Sequence, residues 1–433
     1  MTNQNDDKLE KKIKEIEEKI PEQRNPIDYK TLEEQVSKWL LLKDKGVLRI
    51  LLATVIANKL KGDPVWLLIV CASGGSKTEL LRGLNKIPNI YALSDLTPQT
   101  FLSGMKGDNA SLLSRIDPYD TIMIMKDFTT VLTMHRDKRQ EILGQLREIY
   151  DGYIKKAFGT GETKEWTGKL GFIAGVTTVI DRYQTVNQVL GERFIQYHLV
   201  HEDALTLARR SMSNTGDEVQ MREEIQNVFA DFMAGVVIPE KNPDVSEKVK
   251  NKVIHLATFC VRARSGVFRE GYSREIEFVP DPELPTRFTK ELMKLASALS
   301  LVDRRTDDQN YELIFKVGMD SIPQLRRLII SMMRFDEEYE TSKVSNAVGY
   351  PMTSTRRALE ELQALALVKR RRDGHGCTDW WSHTDHAIEL LSEAIPESDL
   401  NKKRTVSDPS GDAFDEVVKI FGEAEQGTTP GVL

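Results

Sequence analysis

Residues 67–82 read Leu-Leu-Ile-Val-Cys-Ala-Ser-Gly-Gly-Ser-Lys-Thr-Glu-Leu-Leu-Arg. An apolar run the length of a buried strand enters a turn of small residues, and Lys77-Thr78 then opens an amphipathic helix. Small residues let successive backbone N–H groups converge on an anion, and the helix start adds its dipole. In the pattern G-x-x-x-x-G-K-[ST] the lysine reaches the terminal phosphates of a nucleotide and the hydroxyl takes a place on Mg²⁺. Cys71 and Ser76 stand at the two glycine positions here. Ser76 is the sharper departure, because that position can require φ > 0, which serine tolerates poorly. The order of strand, Gly74-Gly75, Lys77-Thr78 and helix is kept. The expected anion site is Ser73, Gly74, Gly75, Ser76, Lys77 and Thr78, with Lys77 exposed in the loop so that its removal spares the fold.

The rest of the chain fits an α/β protein around that loop. At 433 residues it has material for about three domains. Strand candidates Val65–Cys71, Thr121–Met125 and Leu170–Val176 alternate with helical stretches such as Glu33–Leu60 and Lys138–Tyr150. Alternation of this kind predicts a parallel sheet covered by helices. The expected organisation is a charged helical arm over 1–26, with Leu9, Ile13, Ile16 and Ile20 on one stripe. An α/β nucleotide-binding core follows over 27–245. A helical subdomain over 246–317 includes helices Lys248–Cys260 and Phe288–Leu301. A basic module occupies 318–395, and a tail 396–433 has one helix at Phe414–Phe421. The net charge of −6 excludes a chain that is basic throughout. The longest apolar run, Val65 to Ala72, is too short for a membrane span, which needs about 20 residues. The first residues are polar and charged, without the apolar stretch of a signal peptide. The three cysteines, Cys71, Cys260 and Cys377, are scattered and odd in number. These features predict a cytoplasmic protein without a disulfide framework or a membrane partner.

Further motifs recur in a telling order. Thr121-Ile-Met-Ile-Met-Lys-Asp127-Phe follows the loop. Asp151 to Leu170 reads as a hairpin turning at Gly159-Thr-Gly161, and it runs directly into Gly171-Phe-Ile-Ala-Gly-Val-Thr-Thr. Leu190-Gly-Glu-Arg193-Phe and Pro285-Thr-Arg287-Phe come later. With the phosphate loop, this succession resembles the AAA+ ATPases, within them the branch with a β-hairpin before sensor 1 that includes the MCM replicative helicases. The resemblance spans roughly residues 30 to 395 and rests on the order of motifs. It implies an AAA+ core, a helical lid, ATP and Mg²⁺ as ligands, and a homo-oligomeric ring such as a hexamer. It places Asp127 at the Walker B strand, where the family has Asp-Glu. Either Lys126 replaces the metal-binding Asp and Asp127 is the base, or Asp127 is itself the metal ligand with Thr78. Thr177 or Thr178 would orient the lytic water. Arg193 would reach a neighbouring subunit's nucleotide, and Arg287 would face the γ-phosphate as sensor 2. Lys155, Lys156, Lys164 and Lys169 are the hairpin candidates for gripping DNA.

The module over 318–395 shows three amphipathic helices (Ile322–Arg334, Thr341–Ala347, Thr353–Ala366) before a basic hairpin, Val368 to Trp381. That is the order of a winged helix, with Thr353 as a helix cap and Arg356 and Arg357 in the following turns. The hairpin carries Lys369, Arg370, Arg371 and Arg372. Residues 341–375 hold seven Lys/Arg against three acids, a net of +4. Such a local patch is the electrostatic footprint of a module that reads a DNA backbone. His375, Cys377, His383 and His386 match no common zinc spacing, and the last two read as surface residues near a helix start. Two functional expectations stand side by side, ahead of a third, an interaction protein that uses an inactive ATPase core as a scaffold. One is an MCM-like DNA motor, such as a helicase of a mobile element or phage. The other is a nucleotide-gated DNA-binding switch with weak or no hydrolysis, such as an initiator, loader or regulator.

Overall fold

A computed structural model describes residues 24–74, 76–107, 110–183, 193–200, 203–372, 378–397 and 399. The arm and tail helices, Gly75, His375 and Cys377 lie outside the described residues. The long helix expected from Glu33 to Leu60 is two helices, α1 (Tyr29–Trp39) and α2 (Gly46–Lys59). Asp44 explains the break. Its carboxylate takes the Gly46 N–H at 3.0 Å and the Tyr197 hydroxyl at 2.7 Å. A Cβ on Gly46 would come within 2.7 Å of Leu313 and Tyr197. Helix α2 is buried almost all round, which accounts for its apolar sequence. Its Asn58 holds both the N–H and the C=O of Val65, fixing the entry to strand β1 (Trp66–Val70).

After β1 come α3 (Lys77–Gly83), β2 (Ile90–Leu93), β3 (Ile122–Met125), α4 (Thr129–Thr133), α5 (Arg136–Tyr150), the hairpin β4 (Tyr153–Ala157) and β5 (Thr163–Thr167), β6 (Gly171–Val176) and β7 (Phe194–His198). The chain is α/β: β2-β3-β6-β1-β7 form a five-stranded, all-parallel sheet flanked by helices. That architecture is compatible with a P-loop-like core. Three of the five strands match the sequence expectation within a residue; β2 and β7 were not anticipated. Side chains alternate between two cores, with Leu67 and Ile69 of β1 on one face and Trp66, Leu68 and Val70 on the other. Strand β7 is an edge, and its outward N–H groups at Gln196 and His198 are taken by Ser321 and Asp320, which blunts it against further pairing.

Beyond β7 lie α6 (Ala204–Ser213), α7 (Glu218–Ala234), α8 (Glu247–Arg264), a two-stranded ribbon β8 (Phe268–Arg269) and β9 (Ile276–Phe278), α9 (Thr286–Leu299) and α10 (Asp307–Asp320). The last segment is α11 (Gln324–Met332), β10 (Tyr339–Glu340), α12 (Thr341–Val348), α13 (Met352–Ala364), β11 (Val368–Arg372), β12 (Asp379–His383) and α14 (Asp385–Ala394). Its strands form an antiparallel sheet in the order β10-β12-β11. Two local expectations change here. Helix α13 begins at Met352 after Pro351, without a side-chain cap, so Thr353 lies inside the helix and does not cap it. His383 is buried beside the Met333 carbonyl, because β12 carries it into the core; of this pair, His386 is the exposed one. No described helix is long and apolar enough to cross a membrane.

Candidate functional site

Strand β1 has β6 on one side and β7 on the other, although the chain leaves β1 for β2, three places away in the sheet. Such a switch in strand order leaves a crevice at the carboxyl ends of the strands, the usual ligand position in open α/β sheets. The loop after Val70 occupies it. Gly74 has φ of +86° and Ser76 of +59°. The serine thus adopts the left-handed conformation that the position demands, at a cost of about 1 kcal/mol. Lys77, the first residue of α3, is buried at 7% exposure, not exposed as the sequence suggested. Its stem lies against β6 where Gly175 leaves room: a Cβ there would come within 2.8 Å of the lysine's Cγ and Cδ, and within 2.6 Å of the Lys126 carbonyl. Among the described residues no carboxylate pairs with Lys77.

Asp127 and Thr177 meet at the same end of the sheet. Asp127 is exposed, and its Oδ1 takes the Thr129 N–H at 3.0 Å. Thr129 Oγ1 accepts the Thr177 N–H at 3.1 Å and lies 3.3 Å from the Thr177 hydroxyl. The Phe128 N–H donates to the Gly175 carbonyl at 2.7 Å. The tips of β3 and β6 are therefore tied together beside the lysine stem. Thr178 starts a short 3-10 helix, Thr178–Tyr183. A cleft of about 350 Å³ opens over the loop, lined by Gly74, Ser76, Lys77, Thr78, Trp39 and Arg210. Arg222 also lines it and is paired with Glu79 at 3.1 Å. Thr78 lines this cleft and Asp127 does not; both carry oxygens of the kind Mg²⁺ prefers. No group of three or more His, Cys, Asp or Glu among the described residues is arranged to hold a metal by itself.

Arg193 and Arg287 are elsewhere. Arg193 precedes β7 and Arg287 opens α9, and both guanidinium groups lie over the Tyr150 ring. Tyr150 packs against Trp66, the first residue of β1, whereas the phosphate loop follows Val70, the last. Four strand steps separate these ends by about 13 Å. Both arginines therefore lie at the end of β1 opposite the loop that follows Val70, away from the Lys77 site within one chain. Arg193 is buried and grips Asp151 at 2.7 and 2.9 Å. Arg287 pairs with Glu283. Between them the Tyr150 hydroxyl donates to Glu291. Burial pushes the Glu291 carboxyl up to about 7, and its Oε2 has no hydrogen-bond partner, as suits a protonated acid.

The candidate DNA residues are placed but largely neutralised. Lys155 pairs with Glu165 across the hairpin, and Lys156 with Glu141. Lys164 donates to the Met105 carbonyl at 2.7 Å, and Lys169 to that of Leu60 at 2.8 Å. The hairpin thus lies down on neighbouring loops. In the last segment, Asp379 accepts Arg356, Arg370 and Arg372, while Arg371 pairs with Glu338 and Lys369 with Asp385. Glu338, Asp379 and Asp385 all fall outside the stretch 341–375, so the local charge is lower than a count along the chain suggests. Arg357 is exposed, without a carboxylate partner among the described residues.

That segment is joined directly to the site. The Gln324 N–H at the start of α11 donates to Asp181 Oδ1 at 3.0 Å, within the 3-10 helix after Thr177. Asp320 is buried; burial opposes its ionisation, but Lys316 and Arg327 hold it below the usual carboxylate range. Lys316 also donates to the His198 carbonyl at 2.9 Å, and His198 lies opposite Val70 in the sheet. Burial, with Arg327 alongside, keeps the His198 imidazole well below its ordinary pKa.

Sequence reasoning missed Gly175, Thr129, Trp39, Arg210 and Arg222. A glycine inside a strand pattern signals a close approach, so Gly175 was legible in principle. The others come from segments brought over the loop only by folding. No protein-family model matches this chain, and no curated protein matches it.

Proposed function

We propose that the chain is an ATP-binding P-loop protein of AAA+ type that acts on DNA. One observation carries the reading: Lys77 is buried, lacks a carboxylate among the described residues, and has its stem seated in the notch at Gly175 beside the phosphate loop. The residue lines the cleft over the loop, where a lysine at the first turn of a helix can meet a terminal phosphate. Ser73 to Ser76 cradle the phosphates, Lys77 neutralises them, Thr78 and Asp127 hold Mg²⁺, and Thr177, braced by Thr129, positions water. Trp39 and Arg210 border the space for the rest of the nucleotide. Arg193 and Arg287, together at the far end of the sheet, act on a neighbour's nucleotide in a homo-oligomeric ring, after Arg193 leaves Asp151.

Of the two mechanisms, the nucleotide-gated switch is favoured over the MCM-like motor by a specific observation. The winged-helix-like segment is bonded to the loop after Thr177 through Gln324 and Asp181, whereas the hairpin lysines are occupied within the chain.

The test is titration of wild type and Lys77→Ala with a fluorescent ATP analogue and Mg²⁺, followed by ATP turnover with and without DNA. ATP binding that Lys77→Ala lowers, with turnover slow and little changed by DNA, supports the switch. Strong DNA stimulation, lost in the Lys155→Ala and Lys156→Ala double variant, restores the motor. Equal nucleotide affinity of wild type and Lys77→Ala overturns the site. Mixing Arg193→Ala with Lys77→Ala protein should restore turnover at mixed interfaces; absence of rescue in verified mixed assemblies removes the trans role.

A further inference from the structure

Helix α13 turns one polar face, Thr353, Arg356, Arg357 and Glu360, toward the ribbon β8–β9. These positions recur at helical spacing and share a side. Between helix and ribbon runs a groove of about 630 Å³. Arg269 fixes its width: the guanidinium of this ribbon residue bonds to the Arg357 carbonyl at 2.8 Å and to Glu361 at 3.0 Å. The lining holds five arginines (269, 274, 356, 357 and 370) against two acids, Glu275 and Glu360. Arg269, Arg356 and Arg370 are tied to carboxylates. Arg274 and Arg357 are exposed and have no carboxylate partner among the described residues. Arg274 holds a left-handed backbone, φ +61°, which a non-glycine residue adopts at a cost.

The ribbon also displays aromatic rings. Tyr272, at its turn, is 96% exposed, and Phe278 is 59% exposed. Phe278 lies two residues beyond Ile276, which lines the groove, and its ring sits beside Phe268 across the ribbon, centroids 6.1 Å apart. A basic groove flanked by bare aromatic faces matches the chemistry of a single nucleic-acid strand: phosphates follow the cations and bases stack on the rings. Duplex does not fit the same face. A helix that reads duplex must enter a major groove about 12 Å wide, and the pinned ribbon stands over α13 where that groove would lie.

We propose that the groove between ribbon β8–β9 and helix α13 binds single-stranded DNA, with Arg274 and Arg357 on phosphates and Tyr272 and Phe278 as stacking platforms. The site takes from the functional reading only that DNA is the partner; it requires neither ATP nor the β4–β5 hairpin.

The experiment is fluorescence anisotropy of the full-length protein, without nucleotide, against a labelled 12-nucleotide single strand and the matching duplex, over a range of salt. Wild type should prefer the single strand. Tyr272→Ala and Phe278→Ala should each weaken it by about 5- to 100-fold. The double variant Arg274→Ala with Arg357→Ala should lower the slope of log K against log[salt] by about 1.4, at about 0.7 per phosphate on a single strand. All four side chains are exposed, so melting temperatures should be unchanged and a folding defect would show there. If the single strand binds but the losses fall on Lys369→Ala and Arg371→Ala instead, the groove is not the site while DNA remains the partner. Preference for duplex with the groove variants unaffected also overturns the groove. If neither DNA form binds at any salt, this inference and the DNA reading fall together, and ATP binding at Lys77 stands or falls by its own titration.

Discussion

Lys77 and Arg193 are both buried cations at the end of a core strand, and they differ in one respect. Arg193 has Asp151 at 2.7 Å; Lys77 has no carboxylate among the described residues. The paired cation is satisfied within the chain and braces the floor of the sheet with Tyr150 and Trp66. The unpaired one is held by its apolar stem against Gly175 at the wall of the cleft. Similar burial therefore leaves the two cations in different states: Arg193 would have to leave Asp151 before it could meet another anion, whereas Lys77 has no carboxylate to leave.

The sharpest way to break this contrast is to disturb the stem of Lys77 without touching its charge. Gly175→Ala places a Cβ within 2.8 Å of Lys77 Cγ and Cδ, so ATP affinity should fall about 10- to 100-fold, as for a lost charged hydrogen bond. Calorimetric titration checks this. Unchanged affinity would mean that the notch does not position the ammonium.

Next in size is the paired cation. Arg193→Ala should destabilise the fold by about 1 to 3 kcal/mol, less than for a fully enclosed pair because Asp151 is half exposed. Lys77→Ala should cost less stability, since it breaks no ion pair within the described residues. Denaturant midpoints of the two variants compare them directly. A loss for Lys77→Ala as large as for Arg193→Ala would erase the distinction.

A third test uses pH at the same floor. Glu291 ionises near 4.5 when unfolded and about 7 when folded. The native state therefore holds the extra proton, and stability from this group is full below pH 4.5 and lost as pH rises through 7. Its neighbours are Tyr150, Arg264, Arg287 and Glu283. Glu291→Gln should remove that loss, so the difference in melting temperature between variant and wild type should grow by a few degrees between pH 5 and 8. A difference independent of pH would mean that Glu291 is ionised throughout.

The smallest effect is expected at Asp379, the shared partner of Arg356, Arg370 and Arg372. Asp379→Asn frees positive charge beside the groove and should steepen the salt dependence of single-stranded DNA binding by about 0.7 per phosphate gained. No change would leave these arginines as internal fasteners.

The parallel sheet was legible because buried strands are continuous apolar runs. Trp66–Val70, Ile122–Met125 and Gly171–Val176 announce themselves that way. Strand β7 did not, because Gln196 and His198 interrupt the apolar pattern at an edge whose N–H groups are met by Ser321 and Asp320. The phosphate loop was legible because its chemistry is local: small residues, a lysine, a hydroxyl and a helix start are neighbours in the chain. The positive φ of Ser76 follows from the same local geometry.

Charge was not legible in that way. A count over 341–375 finds a basic patch, yet Glu338, Asp379 and Asp385 fold onto it from either side. The sequence by itself determined the α/β architecture, the small-residue loop between β1 and α3 and the hairpin before β6, all set by short-range patterning of apolar and small residues. Only the tertiary structure decided which cations keep a counterion, that Arg193 and Arg287 share Tyr150 at the end of β1 opposite the loop, and that the ribbon is pinned to helix α13. The physical reason is that a cation's role depends on the charges within a few ångströms of it, and the chain brings those together from positions far apart in sequence.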